Sequence, residues 1–246
     1  MMRNLQTPAK EVNRPRRFLA PTDKLEYNFE LTGPEHHHLS TVTRSNIGDM
    51  VCCGNGEFDY HYEIIGITKN ATSLRFDHKE PNTANPQAQL TVFMPLIKLD
   101  NLTLTVQKLN EIGVHEIVLF NAARCNVPAK AISIEKLRAI ATQSCKQCGR
   151  SIPIKVSFGK IPPTGFGQII FANEHEEKMK LHNMVFHYFS PGALIIGPEG
   201  GFTDAEREML CKTKGVTSVS LGNRILRAET AAIVASAIIL SRHGEL

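Results

Sequence analysis

Between residues 89 and 221, short apolar runs alternate with stretches of helical spacing, and this rhythm limits the fold more than any other feature. Strands are predicted over residues 89–96, 115–120, 153–158, 168–172, 194–196 and 217–221. Helices are predicted over 101–112, stopped by Gly113, and over 134–148, stopped by Gly149. Strands separated by helices make a parallel sheet, and such sheets collect ligands at the carboxyl ends of their strands. The predicted fold class is therefore α/β over residues 89–246.

Upstream the rhythm differs. Asn55-Gly56 lies between two β-rich runs, 50–53 and 60–65, and predicts a hairpin. Residues 71–76 read as a further strand and 34–45 as the one helix, so 16–80 is expected to form a small β-barrel carrying a helix. The polar, proline-bracketed Lys79-Glu80-Pro81-Asn82-Thr83-Ala84-Asn85-Pro86-Gln87 reads as linker, assigned to residues 81–88. Residues 1–15 form a loose arm. Before Phe18, the five basic residues Arg3, Lys10, Arg14, Arg16 and Arg17 face one acid, Glu11, which suits a phosphate backbone. The overall formal charge of +4 is too small to argue for nucleic acid by itself.

The six cysteines are expected as buried thiols of a reducing cytoplasm. Cys145-Lys146-Gln147-Cys148 is a lone CxxC without a second pair, and His36-His37-His38 on a helix point about 100° apart, so neither predicts a metal site. No apolar run spans a bilayer and the first residues lack a secretory core, although an Arg-rich organellar leader would look similar. The expected localisation is cytoplasmic, with no membrane partner.

Two loops gather the candidate chemistry. Ala193-Leu194-Ile195-Ile196-Gly197-Pro198-Glu199-Gly200-Gly201-Phe202-Thr203-Asp204-Ala205-Glu206 reads as a buried strand, a glycine turn and a helix start, with Thr203 and Glu206 as a capping box. Glycines there let a flat group approach backbone N–H donors at a helix start. Ser218-Val219-Ser220-Leu221 then leads into Gly222-Asn223-Arg224-Ile225-Leu226-Arg227. Residues 228–241 beyond are almost entirely Ala, Ile, Val and Leu, so that helix must be buried on every face, most simply in a homodimer. Rossmann GxGxxG, P-loop and GxSxG motifs are all absent from the sequence.

Gly197-Pro198-Glu199-Gly200-Gly201-Phe202, followed by Leu221-Gly222-Asn223-Arg224-Ile225-Leu226-Arg227-Ala228-Glu229-Thr230-Ala231, resembles the signature of the RsmE family of SPOUT-superfamily methyltransferases. Val106-Gln107-Lys108-Leu109-Asn110-Glu111-Ile112-Gly113-Val114 is similar to that family's QK…ELGV helix, and Gln147-Cys148-Gly149-Arg150 to its EQxGR segment. Arg16-Arg17-Phe18 and Val42-Thr43-Arg44…Gly48-Asp49 resemble the start of its PUA-like barrel. The chain departs from the family pattern at Lys98-Leu99-Asp100-Asn101-Leu102, at Ala123 before Arg124-Cys125, and at Ala228. The first two departures are expected to lie away from the two loop motifs and to bear on RNA docking.

The resemblance implies a SPOUT-type parallel sheet with a trefoil knot, a PUA-like RNA-binding barrel, a homodimer, and S-adenosyl-L-methionine as cofactor. It implies methylation of N3 of a uridine in small-subunit ribosomal RNA, as part of the assembled subunit. Carried onto this chain, the cofactor-binding residues are Asn173, Ile196, Gly197, Pro198, Glu199, Gly200, Gly201, Leu221, Gly222, Ile225 and Leu226. RNA-binding residues would be Arg16, Arg17, Arg44, Lys98, Arg150 and Arg224. Uracil N3 attacks only as its proton leaves, so Glu229 is the expected acceptor, while Arg227 would stabilise charge on the uracil oxygens. Ribose 2′-O-methylation, or a catalytically silent RNA-binding or ribosome-assembly protein, are the alternatives.

Overall fold

The computed structural model describes residues 15–20, 24–186 and 192–246, and most of the basic arm lies outside them. The chain divides into two compact units, with the break between Pro81 and Asn82.

The first unit is a five-stranded sheet. Its strands are β1 (Arg16–Phe18), β2 (Phe29–Thr32), β3 (Met50–Gly54), β4 (Phe58–Ile67) and β5 (Ala71–Pro81), in the order β1-β3-β4-β5-β2. All neighbours are antiparallel except β1 and β3. Phe18, Cys53, Tyr60, Tyr62, Ile64 and Leu74 build its core, recurring at the period of two that a one-sided sheet requires. The predicted helix is shorter than its pattern. Helix α1 (Gly33–His37) passes into a π-helical turn, His38–Val42. Of the three consecutive histidines only His36 is buried, held by Thr72 Oγ1 at 2.8 Å and the Lys69 carbonyl at 3.2 Å. Strand β5 also runs into the polar stretch read as linker, because Lys79, Glu80 and Pro81 pair with Tyr60, Asp59 and Phe58. Proline is tolerated there at a strand end.

The second unit carries six parallel strands: β6 (Leu90–Pro95), β7 (Glu116–Phe120), β8 (Lys155–Phe158), β9 (Gln168–Ala172), β10 (Gly192–Ile195) and β11 (Val216–Val219), ordered β11-β9-β10-β6-β7-β8. Helices α2 (Leu99–Glu111), α3 (Ile134–Cys148), α4 (Asp204–Lys212) and α5 (Ala228–Arg242) complete it. Alternation along the strands separates two cores. Val92, Met94 and Leu194 belong to one, with residues of α2, α3 and α5. Phe93, Ala193 and Ile195 belong to the other, with Phe202 and Leu210. A sheet buried on both faces explains why these strands are continuously apolar.

Helix ends follow their sequence signals. Ser133 caps α3 by accepting from the Lys136 N–H at 3.2 Å, and Gly149 stops it at a φ of 90°. Thr203 and Glu206 form the capping box that starts α4. The segments 106–114 and 147–150 pack on one another. Arg150 is buried, and its Nη1 donates to the carbonyls of Asn110 (2.8 Å) and Val114 (3.0 Å). The Asn110 side chain accepts from the Ile154 N–H at 2.9 Å and donates to Ser144 Oγ at 3.2 Å. Arg150 therefore closes the turn after α2, and its interior position replaces the expected RNA contact. Cys145 and Cys148 lie on α3, where their thiols point to the carbonyls of Arg150 and Cys145. Among the described residues, no helix is long and apolar enough to cross a membrane.

Candidate active site

The carboxyl ends of β9, β10 and β11 open into one cavity of about 620 Å³ in the second unit. The loop after β9 contributes Ala172, Asn173 and Glu174. That after β10 contributes Ile196 to Glu199 and Gly201, and that after β11 contributes Ser220 to Leu226. Arg227, Ala228 and Ala231, from the start of α5, close one side. Lys98 and Asn101 also line it, so the first sequence departure sits on the cavity wall and not away from it.

Each loop is held by specific bonds. Gly201 has a φ of 66° and donates its N–H to the Pro198 carbonyl at 2.8 Å, a turn that a side chain would strain. Gly197 lies under the Phe202 ring, where a Cβ would come within 3.3 Å of two ring carbons. Phe202 in turn stacks with Phe120 and meets Phe171 edge-on, fixing the turn to the core. Asn173 is buried; it donates to Ser218 Oγ at 3.0 Å and accepts from the His175 N–H at 3.1 Å, which orders the β9 loop. Ser220 Oγ accepts from the Gly222 N–H at 3.2 Å across a φ of 120° at that glycine.

Glu206 ties this loop to a neighbouring one. Burial would raise its carboxyl, but bonds from the N–H groups of Ala123 and Thr203, the Thr203 hydroxyl and the Arg124 charge outweigh burial and hold it below the ordinary range. Arg124 Nη1 donates to the Gly200 carbonyl at 3.1 Å. A Cβ on Gly200 would meet Arg124 Cβ at 3.2 Å. Arg124, next to the second sequence departure at Ala123, thus packs directly on the first glycine loop.

Most of the predicted cofactor residues come together on the wall: Asn173, Ile196, Gly197, Pro198, Glu199, Gly201, Leu221, Gly222, Ile225 and Leu226. Gly200 does not, because it turns toward Arg124. Arg227 lines the cavity as the N-cap of α5 and is exposed. Glu229 is placed differently from expectation. It is buried behind the wall with its Oε2 unpartnered, at a helix N-terminus that favours negative charge. Lys98 and Arg224 reach the cavity, while Arg16 and Arg44 belong to the first unit. Arg44 is exposed with a φ of 50°. Arg16 bonds the Thr43 carbonyl and Ser45 Oγ. Arg17, expected to touch RNA, instead makes a two-pronged ion pair with Asp59 at 2.7 and 2.5 Å, with little of either side chain exposed. Its charge is already matched. Glu174 and Asn223 lie within the expected cofactor loops, whereas sequence reasoning missed Ser220, just beyond β11, and Asn101, on the first turn of α2, as wall residues.

A parallel sheet whose last strand-end loops build one glycine-lined cavity defines a ligand-binding α/β domain. The family model for the RNA methyltransferase domain matches residues 83–240. A ribosomal RNA small subunit methyltransferase E from Rickettsia conorii is 31% identical over 228 residues, covering 88% of this chain and 91% of its own. The protein of the same name from Bacillus subtilis is 31% identical, covering 86% and 89%. A Legionella pneumophila structure, described as a methyltransferase in complex with SAM, superposes with a TM-score of 0.79 at 25% identity, covering 93% of this chain and 98% of that one. The chain belongs to the ribosomal RNA small subunit methyltransferase E family of RNA methyltransferases.

Proposed function

We propose that this chain methylates N3 of a uridine in small-subunit ribosomal RNA, using S-adenosyl-L-methionine. The observation that carries the proposal is the single cavity uniting both glycine loops with Arg227. Its volume lies in the range of roughly 300–1,000 Å³ usual for small-molecule sites. Ile196, Leu221, Leu226 and Ala231 would hold a flat ring, and Asn173, Glu174 and Lys98 the polar parts of the cofactor. When bound, the cofactor supplies a methyl group activated by its sulfonium.

The protein's part is alignment and charge. Arg227 stands on the wall with its guanidinium free to face a uracil oxygen as N3 loses its proton. The carboxylates that reach the wall are Glu174 and Glu199, and one of these takes the proton in place of Glu229.

A trefoil knot is part of this reading. It is supported by the insertion of β10 between β9 and β6, with the loops after β9, β10 and β11 closing one cavity. A homodimer is supported by α5, on which Val234 is 38% exposed although the helix has no polar face, and by Ile225, 90% exposed beside Arg224. The first unit is read as a PUA-like RNA-binding barrel, supported by its sheet order and by the helical segment from Gly33 to Val42. Incubation with methyl-labelled cofactor and either naked ribosomal RNA or assembled small subunits tests the whole. Nucleoside analysis should yield N3-methyluridine, with the assembled subunit the better substrate. Ribose methylation, or no methylation of either RNA, would overturn it.

A further inference from the structure

We propose that His61, His78 and Glu80 form a site for a divalent transition-metal ion such as zinc, on the first unit's sheet. The register makes the cluster. His61 of β4 lies directly opposite His78 of β5, and the next pair on the same face, two residues along, is Asp59 with Glu80. Residues two apart on a strand share a face, so one imidazole from β4 meets an imidazole and a carboxylate from β5. One potential ligand atom from each of the three lies within 4.8 Å of the others. His61 Nε2 is already 3.1 Å from Glu80 Oε1.

The donor set suits a borderline ion. Two imidazoles and one carboxylate are the ligands that zinc takes when a fourth position is left to water. A harder ion such as magnesium would want more oxygens. The surroundings supply the orientation such sites need. His78 Nδ1 is 2.7 Å from Asp77 Oδ2, which places the ring proton there and leaves Nε2 with its lone pair free. His61 is fixed by burial, with 10% of its side chain exposed, whereas His78 and Glu80 are more than half exposed and free to adjust. The two rings stack in parallel, with centroids 4.4 Å apart and planes 2° from parallel. Stacked rings cannot both direct an in-plane lone pair at one ion. For both to reach one ion the His78 ring has to leave the stack, which its exposed position allows.

Neighbouring groups neither complete the site nor oppose it. Cys52 pairs with His61 across β3 and β4, but burial pushes its thiol up to about 12, and its sulfur does not join the cluster. The nearby cation, Arg17, is neutralised by Asp59. The fourth position therefore falls to water or to an oxygen of a bound partner.

The test uses the untagged full chain, stripped with a chelator, titrated with Zn²⁺ by calorimetry and with Co²⁺ by visible absorption. About one Zn²⁺ should bind per chain, and Co²⁺ should give the intense visible bands of a four-coordinate ion. His78→Gln and Glu80→Gln, both at exposed positions, should keep the native circular dichroism spectrum and weaken binding by ~10-fold or more. The proposal is overturned by the absence of saturable binding. Unchanged affinity in both variants, which would place the ion elsewhere, overturns it equally.

Discussion

Gly201 and Glu174 face each other across the mouth of the cavity so closely that a Cβ on the glycine would lie 2.7 Å from Glu174 Oε1. Two separate costs therefore meet a substitution there. The φ of 66° disfavours any L side chain by roughly 1–2 kcal/mol. The Glu174 carboxylate would also have to swing away from the wall. Gly201→Val should abolish cofactor binding in calorimetric titration while the far-ultraviolet spectrum stays native. Gly201→Ala should lose about tenfold in affinity, corresponding to ~1.4 kcal/mol. Adding Glu174→Ala should relieve only the steric part. Unchanged affinity in Gly201→Val would remove this turn from the site.

Phe202 couples the loop to the core. Its ring is buried against Phe120 and Phe171 and lies over Gly197. Phe202→Ala should cost about 3–5 kcal/mol of folding stability, as such truncations in cores do. Because the ring also shapes the loop, cofactor affinity should fall below that of a control with equal destabilisation placed elsewhere, such as Leu39→Ala in the first unit. Chemical denaturation followed by titration at 15 °C separates the two effects.

Local signals carried the helix ends and strands of the second unit, because caps, glycine stops and apolar runs are written within a few residues. The capping box at Thr203 and the stop at Gly149 are of this kind. What local pattern could not supply was pairing at a distance. The assignment of Arg17 to RNA failed to anticipate Asp59, which meets it only when β1, β3 and β4 align. Arg150 carries the same lesson, since its carbonyl partners lie on another helix and the turn after it. Lys98 and Asn101 reach the cavity because β6 sits beside β10, a neighbour relation invisible in chain order. The His61, His78 and Glu80 cluster depends on a strand register interrupted by a bulge.

The acid limb of stability should report on Glu206. Its folded carboxyl sits below the ordinary range, so the bonds it accepts stabilise the fold above the unfolded value of about 4.3 and are lost as pH falls through the folded value. Glu206→Gln should lower the melting temperature at pH 7 by about 2–4 °C, the scale of ~1 kcal/mol for a chain of this size. The gap between native and variant should narrow as pH falls through the folded value, where the native carboxyl takes up its proton. A gap independent of pH would show that charge plays no part in the cap.

Assembly can be probed on α5 by choosing the face with care. Ala235 is fully buried in the chain's own core, so Ala235→Glu should unfold the second unit and says nothing about a partner. Val234 is 38% exposed on the same helix. Val234→Glu should keep the native spectrum and melt as a folded protein, yet sediment as a monomer with little methyl transfer. A soluble, active dimer would exclude this helix face from the interface.

The chemical assignment rests on what lies in front of the wall and what lies behind it. Arg227 lines the cavity, so Arg227→Ala should retain cofactor affinity and lose about 3 kcal/mol of transition-state stabilisation, a drop of roughly a hundredfold in single-turnover rate. Glu229 is buried behind it with an unpartnered oxygen. Glu229→Gln keeps the shape and removes the charge, so the expected change is in stability, with the methyl-transfer step within about tenfold of native. Glu199→Gln and Glu174→Gln should behave oppositely to Glu229→Gln for whichever carboxylate accepts the N3 proton, with a fall of roughly a hundredfold or more and little change in melting. The pH–rate profile at saturating RNA identifies that residue, since its removal abolishes the acid limb. If Glu229→Gln alone abolishes that limb while binding the cofactor normally, the carboxylate behind the wall moves forward in the working complex and is the base.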